Sequence, residues 1–173
     1  MKERFKILLP VKSSLISLYK ALTVPIPFIS SEQLKIPSLF FFILGLILII
    51  NITSDYVEIC NKKISYKTSF ISRAFGKNNW EILWEEIKSI KPLQTRQGSQ
   101  VFYFIDEKGK TLLVPQRIEN FEVFLDEIEN KTNIRTEFIS YISPLWTYKL
   151  LTFLSSLMIV GEIILFWVRY YQD

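Results

Sequence analysis

The sequence contains no histidine and one cysteine, Cys60, among 173 residues. Without histidine, the chain lacks the commonest general base and the commonest metal ligand. One cysteine cannot form a disulfide within the chain or a cluster of thiolate ligands. The sequence has only five glycines, and they form none of the glycine-rich motifs that bind phosphate. We therefore expect neither a metal nor a cofactor.

Candidate acid–base groups are restricted to carboxylates. Asp55, Glu85, Glu86 and Asp106 are the candidates in the middle of the chain. None of them stands at a recognisable catalytic spacing from a serine, threonine or cysteine nucleophile. We expect the protein not to be an enzyme.

Apolar side chains are abundant, at 49% of the residues, and the mean hydropathy is +0.22. Residues 36–54 contain no charged side chain, and a run of this length can cross about 30 Å of hydrocarbon. The pattern predicts a first transmembrane helix over 36–54, beginning at Pro37. A second apolar run predicts a transmembrane helix over 145–169, followed by a short tail, 170–173. The protein is thus predicted to be an integral, multi-pass membrane protein.

The second apolar run contains one acidic residue, Glu162. A carboxylate at membrane depth is costly and can mark an ion or proton path. Because no partner is evident in the sequence, we favour a protonated Glu162, or one bonded to another helix or subunit. Gly161 would allow the close approach that such a contact needs.

Residues 1–35 contain six basic and two acidic side chains, which gives a charge of +4. Val11, Leu15, Leu18 and Leu22 recur at helical spacing. The combination predicts a basic amphipathic arm lying on an anionic bilayer surface. With two spans, arm and tail would share the cytoplasmic or stromal side, and residues 55–144 would face the other side. If the arm instead entered the bilayer as a hairpin, residues 55–144 would face the opposite way.

Residues 55–144 have 13 basic and 13 acidic side chains and form the predicted folded domain. Alternating apolar positions predict hairpins over 57–70 and 101–114 and a strand from Trp80. Residues 118–131 change to a helical period with one apolar face. The predicted fold is a membrane protein with an α+β middle domain, in which antiparallel strands are closed by one C-terminal amphipathic helix.

The order of these elements resembles bacterial pleckstrin-homology-like domains. The resemblance rests on the hairpin 57–70, the segment 84–90, the hairpin 101–114 and the final helix. It implies a β-barrel or sandwich closed by that helix. It implies a fold and not a ligand.

One span, this domain and a second span together resemble a cyanobacterial and chloroplast thylakoid membrane protein family of poorly defined function. The matching stretches are 91–98, 101–104, 113–115 and 129–132. The basic N-terminal arm is longer than in that family. The resemblance implies a thylakoid location and partners among photosynthetic complexes or their assembly factors.

The leading functional hypothesis is a non-catalytic protein that contacts membrane lipids and uses its middle domain for protein interaction or assembly. The predicted contact residues are Arg96, Arg117, Lys77 and Glu162. The alternative is an anionic-lipid or membrane-sensing module that uses cations in the loops of the domain. Nucleic-acid binding is not expected, because the arm is patterned for a bilayer surface.

Overall fold

The computed structural model describes residues 2–96 and 98–172. The described chain divides into two compact units. The sheet unit consists of residues 2–8 and Ser54–Pro144, and the helical unit consists of Leu9–Thr53 and residues 145–172.

The first sheet of the sheet unit is four-stranded and antiparallel, in the order β1-β2-β3-β4. Its strands are β1 (Glu3–Lys6), β2 (Tyr56–Ile59), β3 (Lys63–Lys67) and β4 (Trp80–Leu83). A short helix, α4 (Phe70–Ala74), connects β3 to β4. The predicted hairpin over 57–70 is thus present as β2 and β3, with α4 following it.

A second, three-stranded antiparallel sheet has the order β5-β6-β7. Its strands are β5 (Ile87–Gln94), β6 (Gln100–Asp106) and β7 (Thr111–Leu113). A 3-10 turn, Trp84–Glu86, links the two sheets, and the helix α5 (Phe121–Thr132) follows them. The predicted barrel is wrong, because these sheets are not closed into a barrel within the described residues. Ile7, the residue after the edge strand β1, forms one isolated bridge with Ile118 in the segment after β7, and this contact is not a ladder.

The core of the sheet unit is formed by side chains from both sheets and from α5. Phe102, Phe104 and Phe124 are fully buried there. Four side chains of α5 are buried, namely Phe121, Phe124, Leu125 and Ile128. The apolar face predicted for residues 118–131 therefore closes the core, although the helix begins at Phe121, after Asn120 in the left-handed backbone region.

The N-terminal strand differs from the predicted surface arm over residues 1–35. Residues Glu3–Lys6 pair with Ile59–Tyr56 in antiparallel register, and Phe5 lies in the core. The alternation of charged residues around one apolar residue, Phe5, suits a strand with one buried face. Only residues 9–35 of the predicted arm belong to the helical unit.

The helical unit contains α1 (Leu9–Thr23), α2 (Pro25–Ile29), α3 (Glu32–Ile52) and α6 (Leu145–Gln172). Helices α3 and α6 are long and apolar enough to cross a membrane. The start of α3 differs from the predicted start at Pro37, which lies inside the helix. Ser31 has extended backbone angles and its carbonyl accepts the amide of Lys35 at 3.1 Å, so the helix begins one turn before the proline.

Helix α1 packs against α3 and α6. Its buried residues are Val11, Ser14 and Ala21, whereas Leu15 and Leu22 of the predicted stripe are exposed. Helix α6 likewise buries a small residue, Ser155. Small side chains between helices and large apolar side chains on the outside are the arrangement typical of helices packed in an apolar medium.

Candidate functional site

Asp55 is the most deeply buried carboxylate of the sheet unit, with its side chain fully inaccessible. One carboxylate oxygen accepts hydrogen bonds from the backbone amide of Ser69 and the hydroxyl of Ser72, both at 2.8 Å. The other accepts the hydroxyl of Tyr66 and the ammonium of Lys77, both at 3.1 Å. The carboxylate therefore joins the start of β2 to both ends of α4.

The protonation of this cluster follows from its contacts. Burial by itself raises the pKa of Asp55, but the hydrogen bonds from Ser69, Ser72 and Lys77 and the charge of Lys77 outweigh it. The net effect is a pKa below the usual value, and Asp55 is ionised at neutral pH. Burial and the neighbouring charge of Asp55 raise the pKa of Tyr66. The tyrosine thus stays neutral and serves as a donor.

Glu58 forms a second buried charge network. Its side chain is 8% exposed and its Oε1 atom accepts Lys2 Nζ at 2.9 Å and Arg4 Nε at 3.0 Å. The Arg4 guanidinium also lies over the ring of Tyr56, 5.4 Å from the centroid. The hydrogen bond from Lys2 is the largest cause that lowers the pKa of Glu58, and it outweighs burial, which raises it. Arg4 adds to the lowering.

The other acid–base candidates have structural roles or are exposed. Asp106 accepts the backbone amides of Lys108 and Lys110 in the β6–β7 turn, at 2.8 and 2.7 Å. Glu86 accepts the amide of Leu83 at 3.1 Å and so stabilises the 3-10 turn. Glu85 is exposed. Within the described residues, no group of three histidines, cysteines or acidic residues could hold a metal ion.

Three of the four predicted contact residues lie in the sheet unit. Arg96 is exposed in the β5–β6 loop, and Arg117 is exposed after β7, where its carbonyl accepts the amide of Leu8 at 2.9 Å. Lys77 is engaged by Asp55, so it is a structural cation. In the part of the chain that the structure describes, no hydrogen bond or ion pair joins any two of the four residues.

Glu162, the fourth residue, lies in α6 and is half-buried. Its Oε2 atom is buried and has no hydrogen-bond partner among the described residues. The methyl group that Gly161 lacks would meet no described atom within 4 Å. Among the described residues, Oε2 of Glu162 therefore has no partner on another helix, and a protonated side chain or a bond to another subunit stays the prediction.

A shallow depression of about 620 Å³ lies at the turn between β2 and β3. Its lining is basic and apolar, and it consists of Lys2, Cys60, Asn61, Lys62, Lys63 and Leu83. Lys2 and Lys63 in this lining are paired with Glu58 and Glu81. The depression therefore combines exposed cation stems with an apolar side chain and contains no carboxylate that could act as a base.

Glu58 is not among the residues that the sequence pattern indicates, and Asp55 is indicated only as an acid–base candidate. In the alternating pattern of its strand, Glu58 stands at a position expected to face solvent. Its two cations come from residues more than 50 positions earlier, so local periodicity cannot predict the ion pairs. For Asp55 a local signal exists. Ser69 and Ser72 donate hydrogen bonds to it; Ser69 is the residue before α4, and Ser72 lies within that helix.

No family model matches the chain. The chain is 27% identical over 155 residues to an uncharacterized protein of the cyanobacterium Synechocystis sp., a match that covers 86% of this chain and 77% of that protein. Because the matched part is larger than either unit, the similarity includes residues of both.

Proposed function

We propose that this chain is a non-catalytic, multi-pass membrane protein that presents its sheet unit for protein interaction or for assembly of membrane complexes. The observation that carries the proposal is the burial pattern of the two apolar helices. The most apolar windows of α3 and α6 are 0% and 6% buried inside the protein. A core helix of a water-soluble protein would bury such a surface, so a bilayer is the medium that suits it.

Polar side chains in the helical unit support membrane insertion. Ser14, Thr53 and Ser155 each donate a hydrogen bond to a carbonyl of their own helix, at 2.8 to 2.9 Å. A hydroxyl satisfied in this way needs no water. The helical unit can therefore lie in hydrocarbon without unpaired hydroxyl groups at these positions.

The N-terminal strand determines the number of crossings that we propose. β1 and β2 are neighbours in one sheet, so the segment between them, Leu9–Thr53, leaves and re-enters the same aqueous compartment. A segment of this kind crosses the bilayer an even number of times. If α3 crosses once, then α1 and α2 together make the other crossing, and α6 adds a third.

This topology corresponds to the hairpin alternative and not to a two-span arrangement with a surface arm. The N-terminal stretch on the side of the sheet unit has three cations, Lys2, Arg4 and Lys6, whereas two, Lys20 and Lys35, flank the connection at Ser30 and Ser31. Short flanking segments rich in lysine and arginine stay in the cytoplasm. We therefore place the sheet unit on the cytoplasmic or stromal side.

The charges of the sheet unit support an interaction role. Asp55 and Glu58, its buried carboxylates, are both engaged by cations that stabilise the fold. Arg96 and Arg117 remain exposed in loops, and arginine is enriched in protein interfaces. We propose these two arginines as contact residues for an acidic surface of a membrane-protein partner.

The pleckstrin-homology-like and thylakoid resemblances refine the proposal. A four-stranded and a three-stranded antiparallel sheet followed by one helix are compatible with a pleckstrin-homology-like sandwich. Similarity to a cyanobacterial protein favours a photosynthetic membrane, and hence photosynthetic complexes as partners. An anionic-lipid module is the alternative, because the same exposed arginines would suit anionic headgroups.

The experiment is charge reversal in the full-length, tagged protein. Carbonate washing of the membranes should first leave it in the pellet. Arg96→Glu with Arg117→Glu should then release a partner that co-purifies with the wild-type protein in detergent. Lys108→Glu with Lys110→Glu, in the exposed β6–β7 turn, is the matched control and should retain it.

Three other results would count against the proposal. Retention of the partner by the double arginine variant would exclude these contact residues. Salt-sensitive binding of anionic lipid micelles through the two arginines, with no co-purifying protein, would favour the lipid module. Turnover of a small molecule by the purified protein would show that it is an enzyme.

A further inference from the structure

The α4 segment, defined as Phe70–Ala74 with Phe75, exposes two aromatic side chains. Phe70 is 77% exposed and Phe75 is 72% exposed, which makes them the most exposed large apolar side chains in the described part of the sheet unit. Arg73, between them, is also exposed. Exposed phenylalanines beside a cation have the composition of a bilayer-interface contact.

Asp55 holds the α4 segment at a fixed place in the sheet unit. Its carboxylate accepts hydrogen bonds from the amide of Ser69, the hydroxyl of Ser72 and the ammonium of Lys77. These residues precede, lie within and follow the α4 segment, so its position is set at both ends by one buried carboxylate. The segment therefore cannot move far from Asp55.

Chain connectivity brings Asp55 close to the end of α3. The helix ends at Ile52, and three residues of chain span at most about 11 Å. The headgroup region on each side of the hydrocarbon is about 5 to 8 Å deep. If α3 crosses the bilayer, Asp55 and the segment bonded to it lie at or just beyond headgroup depth.

At one end of the first sheet the chain enters β2 from α3 and leaves β1 for α1. Tyr56 pairs with both Lys6 and Lys67 at this end, so β1 runs on to α1 and β3 runs on to the α4 segment from here. At the other end Leu83 pairs with Lys63. Trp80, at the start of the same strand β4, pairs with Tyr66 near the end that carries Tyr56. A strand rises about 3.3 Å per residue, so Leu83 lies roughly 10 Å farther along the sheet than Trp80.

We propose that the α4 segment is a second membrane contact, with Phe70 and Phe75 in the boundary between headgroups and acyl chains of the bilayer crossed by α3. Arg73 then faces anionic headgroups. This inference rests on the proposed membrane insertion of α3. In consequence, the sheet unit would be attached to the bilayer by the side chains of the α4 segment as well as by its covalent connection to α3.

The test uses full-length protein in vesicles of phosphatidylcholine and phosphatidylglycerol. Single cysteines are introduced in a Cys60→Ser background as Phe70→Cys, Phe75→Cys, Ile47→Cys in α3 and Leu83→Cys. Each is labelled with an environment-sensitive nitrobenzoxadiazole dye. Doxyl groups on shallow acyl carbons quench dyes in the bilayer, and iodide quenches dyes in water. Phe70, Phe75 and Leu83 are exposed, so these substitutions remove no core packing.

We expect doxyl lipid to quench the dyes at positions 70, 75 and 47 and iodide to quench the dye at position 83. Iodide quenching at 70 and 75 with doxyl quenching at 47 would overturn the lipid contact and leave membrane insertion intact. Iodide quenching at 47 would overturn the insertion of α3 and, with it, the lipid contact. Doxyl quenching at 83 equal to that at 70 and 75 would contradict a contact specific to the α4 segment.

Discussion

The Arg4 guanidinium donates a hydrogen bond of 3.0 Å to the carboxylate of Glu58, and this pair joins two strands that are separated in sequence by the segment Leu9–Thr53. Lys2 reaches the same oxygen at 2.9 Å. The contact fastens the N-terminal strand to the strand that follows α3. It therefore holds the first residues of the chain on the sheet unit.

Substitution of Glu58 should loosen β1. Glu58→Gln removes the charge that Lys2 and Arg4 share, and we expect it to lower the free energy of unfolding of the sheet unit by about 1 to 2 kcal/mol. Hydrogen exchange of the β1 and β2 amides in detergent measures the change. Glu81→Gln is the control, because Glu81 forms an ion pair with Lys63 in which both side chains are well exposed. Equal acceleration of β1 exchange in the two variants would contradict the role of Glu58 in holding β1 on the sheet.

Acid should destabilise the sheet unit through its two buried carboxylates. The folded-state pKa values of Asp55 and Glu58 are both lowered, so their stabilisation is present above the ordinary carboxyl pKa. It is lost as the pH falls through the folded-state pKa values. The melting temperature should therefore fall steeply on the acid side, and less steeply in Glu58→Gln. A variant curve parallel to that of the wild type would show that Glu58 contributes no pH dependence.

Helix α5 should depend on its buried face. Leu125→Ala leaves a cavity in the core and should cost about 2 to 5 kcal/mol of the free energy of unfolding. Glu122→Ala, on the exposed face of the same helix, should change it by less than about 0.5 kcal/mol. Denaturant unfolding followed by tryptophan fluorescence gives both values. Equal losses would mean that the helix does not close the core.

The contact between α1 and α3 should depend on Gly45. The Tyr19 hydroxyl donates to the carbonyls of Phe41 and Phe42 at 3.2 and 3.0 Å, and a methyl group on Gly45 would overlap that hydroxyl. Gly45→Ala should therefore destabilise the helical unit by about 1 to 3 kcal/mol. Thermal unfolding in detergent measures the effect.

Two variants complete that test. Tyr19→Phe in the Gly45→Ala background should recover part of the loss, because it removes the overlapping oxygen. Gly161→Ala is the matched helical control, since no described atom lies within 4 Å of its missing methyl group. It should be neutral or slightly stabilising. A destabilisation by Gly161→Ala as large as that by Gly45→Ala would contradict close packing of Tyr19 on Gly45.

Local patterns predict much of the sheet unit. Alternation around Val57 and Ile64 indicates β2 and β3, and the helical period through Leu125 indicates α5, because each signal lies in one short window. The strand β1 has no comparable signal. It consists of four residues with Phe5 as the apolar one, and its paired residues follow 50 to 56 positions later. Pairing across such a distance cannot be derived from local periodicity.

The helical unit is predictable in length but not in its faces. Leu15 and Leu22 belong to the apolar stripe predicted to lie on a bilayer surface, and they are exposed, while Ser14 and Ala21, which are not part of that stripe, are buried. In hydrocarbon the large apolar side chains need no protein partner, and close helix packing selects small ones. In the candidate site, Asp55 and Lys77 are both indicated by the sequence, but as separate candidates. Their ion pair could not be predicted, because it depends on the path of the chain around α4.

The most direct test of the proposed topology is side-specific labelling of sealed vesicles with a membrane-impermeant maleimide. Single cysteines are placed in a Cys60→Ser background by Lys6→Cys in β1, Lys62→Cys in the β2–β3 turn and Ser31→Cys between α2 and α3, all at exposed positions. We expect positions 6 and 62 to react from one side and position 31 from the other. Reaction of positions 6 and 31 from one side, with position 62 on the other, would contradict it.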